Sequence, residues 1–158
     1  IPRALSLSFV PDKINLLIGP RQAGKTTLIW SLLSKLPEPV LFLNCEEPSI
    51  RNLCQSPALF LQETEQIGSH CKGFFFEEVQ HLSEPGLFLK GIVDQKPGQF
   101  IVATGSASYH LRAKTRESLA GRAIRNLLLP FSLKELSASI SGPPLVQKME
   151  IERIYNQL

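Results

Sequence analysis

Short, unbroken apolar runs alternate along this chain with longer segments whose apolar residues recur every three to four positions. The runs at residues 13–18, 40–45, 73–78, 100–104 and 124–129 have strand length and predict five β-strands, the first ending at Gly19 and the last closed by Pro130. Residues 24–36 carry Leu28, Ile29, Leu32, Leu33 and Leu36 at helical spacing, and Pro37 stops that helix. Residues 48–66 predict two short helices parted at Ser56-Pro57, because proline suits a first helical turn. Further helices are predicted over 84–95, 115–120, 132–140 and 144–158. Strands that are apolar on both faces and separated by helices imply an α/β fold, with a mostly parallel five-stranded sheet covered on both sides.

In such sheets ligands bind outside the carboxyl ends of the strands, so the residues just after each strand carry the candidate chemistry. The loop after the first strand, Gly19-Pro20-Arg21-Gln22-Ala23-Gly24-Lys25-Thr26, fits the phosphate-loop pattern G-x-x-x-x-G-K-[ST] without a mismatch. Gly19 and Gly24 let the backbone curl so that successive N–H groups face one anion, and the following helix adds its N-terminal dipole. In that arrangement Lys25 reaches the β- and γ-phosphates and the Thr26 hydroxyl ligates Mg²⁺.

The third strand reads Phe74-Phe75-Phe76-Glu77-Glu78. Neighbouring strand residues face opposite ways, so three phenylalanines make both faces dry until the strand ends. The two carboxylates therefore emerge at the carboxyl edge, in the crevice that the phosphate loop lines. An acid there anchors the Mg²⁺ of a nucleotide, and a second acid beside it polarises a water for attack on the γ-phosphate. Glu77 is assigned to the metal, through a water, and Glu78 to the general base. No N-K-x-D-type motif for guanine is present, and a small-molecule kinase would have no use for Glu78. ATP hydrolysis is the reading that uses both acids.

Composition narrows the setting. With 158 residues, 43% apolar and 20% charged, the chain has the make-up of one soluble domain, and no apolar run approaches the ~20 residues that span a bilayer. It starts at Ile1 without a Met or a cationic leader and reads as a segment of a longer protein. Cys45, Cys54 and Cys71 lack zinc-finger spacing and are read as reduced structural thiols in a cytoplasmic protein. His70, His81 and His110 show no ligand spacing. Residues 99–158 hold 8 Lys/Arg against 4 Asp/Glu, mostly through Arg112, Lys114, Arg116, Arg122 and Arg125. That stripe raises nucleic acid as a partner, but Tyr109 is the only aromatic near it, and ssDNA or RNA platforms interleave aromatics with charge.

Taken together, "GPRQAGKTT", "FFFEEVQHL", "VATGSAS" and "ESLAGRAIRNLLLPFSLKEL" resemble the AAA+-like ATPases of bacteria and archaea, in content and in order, from Arg3 to Glu135. The resemblance implies a P-loop NTPase three-layer sandwich, with an ATPase core over 1–142 and the start of a C-terminal helical lid over 143–158. In many members the ATPase domain precedes a nuclease-like region. It implies that residues 19–27, Thr27 included, bind ATP with Mg²⁺, and that Glu77 and Glu78 form the acid pair. It implies a sensor at the tip of the fourth strand, Ser106 in preference to Thr104, and an arginine, Arg122, that reads the γ-phosphate within the chain or across to a neighbouring subunit. It also implies a homo-oligomer or a partner protein moved by the nucleotide state. Two positions depart from the family pattern: Glu77 stands where Asp is usual, and Asn44-Cys45-Glu46-Glu47 stands where aspartates are usual. The first departure supports a second reading, a nucleotide-binding switch with little or no hydrolysis.

Overall fold

Strand β1 (Ile14–Gly19) is buried at every one of its 6 positions, and a strand dry on both faces belongs in the middle of a covered sheet. In the computed structural model, which describes residues 3–68, 70–95, 98–106, 119–140 and 142–155, it lies there. The sheet is 5-stranded, in the order β2-β3-β4-β1-β5, with β2 at Val40–Asn44, β3 at Gly73–Glu77, β4 at Phe100–Ser106 and β5 at Ala123–Leu127. All four pairings are parallel. The mostly parallel sheet predicted from the strand pattern is therefore wholly parallel among the described residues, and all its carboxyl ends share one edge. The outer strands are the wetter ones: β5 has no buried residue and β2 has one, Leu43.

The helices are α1 (Lys25–Leu33), α2 (Pro48–Leu53), α3 (Pro57–Glu63), α4 (Glu65–Gly68), α5 (Pro85–Gln95), α6 (Leu133–Ser139) and α7 (Pro144–Tyr155). A 3-10 turn, Val79–His81, follows β3. The strand alternation sorts the side chains into two cores. Phe74 and Phe76 pack with Phe60 of α3 and Phe88 of α5 on one face. Phe75 packs with Trp30 of α1 and Phe42 on the other. This is the three-layer arrangement that the sequence implies. Helix α1 stops at Leu33, short of the predicted residue 36, because the chain tightens: the N–H groups of Lys35 and Leu36 bond to the carbonyls of Leu32 and Leu33. The helix predicted over 115–120 and the basic residues Arg112, Lys114 and Arg116 lie outside the described residues, apart from 119 and 120.

One close approach fixes the start of the phosphate loop. The Leu128 N–H donates to the Ile18 carbonyl at 2.8 Å as the chain leaves β5, which brings the Leu128 carbonyl against Gly19. A Cβ on residue 19 would sit 2.2 Å from that oxygen. Gly19→Ala forces the backbone apart and is expected to destabilise the fold by about 1–3 kcal/mol. A urea melt checks this, and an unchanged midpoint would refute it.

Burial accounts for the thiols. Cys45 and Cys54 are buried and unpaired. Burial pushes the Cys54 thiol up to about 12 and Cys45 well above its ordinary value, so neither offers a thiolate at neutral pH.

Candidate functional site

The register lines up the site. Gly19 is the Cα partner of Ser106, and Asn44 is the partner of Glu77, so the tips of β1, β4, β2 and β3 converge on the edge from which the loop 19–27 emerges. Gly24 enters α1 with φ 81, a left-handed conformation that glycine adopts without a Cβ penalty. Gly24, at the N-cap, has no side chain to cap this helix, and its first turn holds no acid. Its leading N–H groups have no intrahelical partner, which makes the end receptive to an anion. Arg21, Gln22 and Thr27 are exposed, Ala23 is buried, and Pro20 is exposed at the loop's start.

Lys25 is only 5% exposed. Its Nζ donates to the carbonyls of Gly19 (3.2 Å) and Pro20 (3.0 Å), and lies 3.7 Å from Glu78 Oε1. Next along the chain, the Thr26 hydroxyl donates to Glu77 Oε1. The structure thus brings together Lys25, Thr26, Glu77 and Glu78, from two segments some fifty residues apart. Strand alternation predicts the Glu77 side: it shares a face with Phe75, toward α1. It does not predict Glu78, whose backbone turns left-handed (φ 53, ψ 49) and leaves the strand. A non-glycine residue in that region costs roughly 1–3 kcal/mol and persists only where its surroundings hold it. Here the Glu78 N–H donates to Thr104 Oγ1 at 3.3 Å, and Glu78 Oε2 accepts from Gln80 Nε2.

At the tip of β4, Thr104 is fully buried and engaged with Glu78, while Ser106 is partly exposed beside Gly19. The Ser106 N–H donates to Gln80 Oε1 at 3.2 Å. Glu46, after β2, lies 3.8 Å from Arg21 of the loop, so the edge that departs from the family pattern does touch the phosphate loop.

Arg122 is not brought to this edge. Its carbonyl accepts from Ile14 N–H at 2.9 Å, at the opposite, amino-terminal end of β1, and its Nε bonds Asp94 Oδ1 of α5 at 2.7 Å. Six strand residues separate the two edges by roughly 16–20 Å. A γ-phosphate bound at Lys25 is out of its reach within the chain, which corrects that half of the sequence expectation. Close by, Gly121 has φ 73 and Leu119 is fully buried in the core with Ile14.

Sequence reasoning missed Gln80, and it missed a cleft of about 530 Å³ beside the loop, lined by Arg3, Ala23, Gly24, Thr27, Leu28, Ser31 and Phe131. The Arg3 guanidinium sits 4.2 Å over the Phe131 ring and donates to the Leu129 carbonyl. Glu135 holds it in place, 3.5 Å from Nε. Hydrogen bonds from the Ala4 and Ser132 N–H groups and the Ser132 hydroxyl, with Arg3 beside it, lower the Glu135 carboxyl to about 2. Ser132 and Glu135 form a reciprocal capping box at the start of α6.

The oxygen donors at Thr26 and Glu77 suit a hard cation. Among the described residues no three His, Cys, Asp or Glu side chains gather as a metal cage. Mg²⁺ in general keeps waters and phosphate oxygens as ligands and takes only one or two from protein. No helix of the described chain is long and apolar enough to cross a membrane.

Comparison with known proteins agrees with this architecture. The chain is 27% identical over 136 residues to the uncharacterized protein MJ1544 of Methanocaldococcus jannaschii; the match covers 85% of this chain and 30% of that relative. The chain thus spans under a third of that relative's length. A family model described as an AAA domain matches residues 11–137, from just before β1 into α6. With a phosphate loop, an acid pair and a wholly parallel sheet in that span, the chain belongs to the AAA-domain family and is a nucleotide-binding, ATPase-like module.

Proposed function

We propose that this chain binds Mg²⁺-ATP and hydrolyses it, and that the nucleotide state moves an attached region or partner. One observation carries the reading: Lys25 and Glu78 lie 3.7 Å apart at the edge where an uncapped helix N-terminus opens. The loop amides and Lys25 bind the β- and γ-phosphates. Thr26 and Glu77 would hold the Mg²⁺, which would supply positive charge against the phosphate oxygens. Glu78 takes the proton of a water as its oxygen bonds to the γ-phosphorus, the bond to the β-bridging oxygen breaks, and ADP and inorganic phosphate leave. Ser106, at the tip of β4, senses the γ-phosphate or the water. The cleft beside Gly24 and Thr27 takes the nucleoside, against Phe131 and Arg3. Because Arg3 is tied to Glu135 of α6, an occupied cleft reaches the C-terminal helices, which is the route to a moving region. Arg122 acts on nucleotide only from a neighbouring subunit.

The direct bond from Thr26 to Glu77 favours a second reading, a switch with slow hydrolysis. Glutamate is one methylene longer than aspartate, so its carboxylate can reach the Thr26 oxygen and leave less room for a hydrated metal. Glu77→Asp separates the two. A rise in ATP turnover of about tenfold or more identifies a catalyst slowed at the metal, in the range by which metal-supporting groups change activity. No turnover in either form leaves a binding module.

A further inference from the structure

We propose that Gln80 is the positioning residue for Glu78, holding the acid in place once Lys25 has turned to the triphosphate; this rests on the ATPase reading. Among the described residues each oxygen of the Glu78 carboxylate has one partner: Oε1 faces Lys25 Nζ at 3.7 Å, and Oε2 accepts from Gln80 Nε2. The first partner is also the cation a triphosphate recruits. On nucleotide binding, therefore, the lysine's attraction is shared with the phosphates, and among the described residues Gln80 is the side chain that remains to aim the acid.

The amide is built for this. A backbone N–H can only donate, so the Ser106 N–H at 3.2 Å requires the Gln80 oxygen on its side and turns the NH₂ toward the carboxylate. Gln80 sits mid-way in the 3-10 turn after β3, between Val79, which is fully buried, and His81, whose N–H bonds the Glu78 carbonyl at 3.1 Å. Its backbone is thus anchored on both sides. Gln80 also ties the acid to the tip of β4, whose last residue pairs in register with Gly19 at the start of the phosphate loop. A shift in that tip when a γ-phosphate binds would pass through one amide to the general base.

Steady-state ATP hydrolysis, equilibrium ATP binding and thermal melts on the purified protein test this with Gln80→Met, Gln80→Glu, Glu78→Gln and the pair Glu78→Gln with Gln80→Met. Gln80→Met keeps the side-chain length without hydrogen bonds; kcat should fall by about 10–100-fold, as for a misplaced catalytic group, with ATP affinity within about threefold. Gln80→Glu keeps an acceptor for the Ser106 N–H but sets a carboxylate against Glu78, so kcat should fall at least as far. The double variant should be no slower than Glu78→Gln alone, since the two side chains act as one unit. A residue that merely supports β4 would tolerate Gln80→Glu and would add its loss to that of Glu78→Gln. Either result, or loss of ATP affinity with kcat retained, overturns the proposal. If the wild-type protein turns ATP over and Glu78→Gln stops it while Gln80→Met runs at the wild-type rate, only the role of Gln80 falls. A wild-type protein without turnover removes the ATPase reading along with it.

Discussion

Lys25→Ala should weaken ATP binding by roughly 30-fold or more and bring hydrolysis to background. The lysine is nearly buried, is placed by two loop carbonyls and faces Glu78. Removing one member of a buried, hydrogen-bonded charge pair commonly costs 2–5 kcal/mol, which at a binding site is roughly 30- to several-thousand-fold in affinity. Two effects add here. The triphosphate loses its cation, and Glu78 is left as an unopposed negative charge directed at an anion site. Titration calorimetry with ATP in Mg²⁺ checks the prediction; unaltered affinity would mean that the phosphates do not lie at this loop.

Glu78→Gln should separate binding from chemistry. The substitution is isosteric and removes the proton acceptor. The new side-chain amide still offers an oxygen to Gln80, and the backbone N–H that bonds Thr104 is untouched. ATP affinity should stay within a few-fold of wild type, and the loss of negative charge beside the triphosphate favours binding if it does anything. The rate of hydrolysis should drop by about 10²–10⁴, the usual contribution of a positioned general base. Parallel measurements of ATP affinity and phosphate release decide it. Hydrolysis at the wild-type rate would take the acid out of the mechanism, and a loss of affinity equal to the loss of rate would make Glu78 a binding residue.

What could be read from the sequence was what local pattern determines. The runs of β1, β3 and β4 marked their strands because burial on both faces leaves few polar positions to confuse the period. The phosphate loop was legible because each of its residues has a local reason: Gly24 for a positive φ, Lys25 for charge, Thr26 for a hydroxyl on the first turn. The meeting of Glu77 with Thr26 followed from alternation together with a parallel sheet. Glu78 was legible as an acid at the right edge but not in its conformation, because a left-handed glutamate carries no sequence mark; its posture is imposed by Thr104 and Gln80 from 26 and 2 positions away.

Long-range ties account for the other omissions. The Ala4–Glu135 bond spans 131 residues, and nothing in the spacing of a capping box foretells an arginine arriving from the chain's other end. Arg122 shows the reverse situation. A residue immediately before a strand in a parallel sheet belongs to the amino-terminal edge, whereas phosphate loops lie at the carboxyl edge, so its separation from Lys25 was implied by the strand order itself. The structure agrees with that geometry: Arg122 bonds Asp94 at the amino-terminal edge.

The site as a whole is tested by one quantity, the release of inorganic phosphate from γ-labelled ATP by the wild-type protein, with Mg²⁺ present and with the metal chelated. Repeated turnovers that need Mg²⁺ are predicted, because the loop, Thr26 and the acid pair then work on one triphosphate. Tight ATP binding with phosphate release at the buffer rate under both conditions would contradict it, and would leave Glu77 and Glu78 as anchors of a nucleotide that is held but never cleaved.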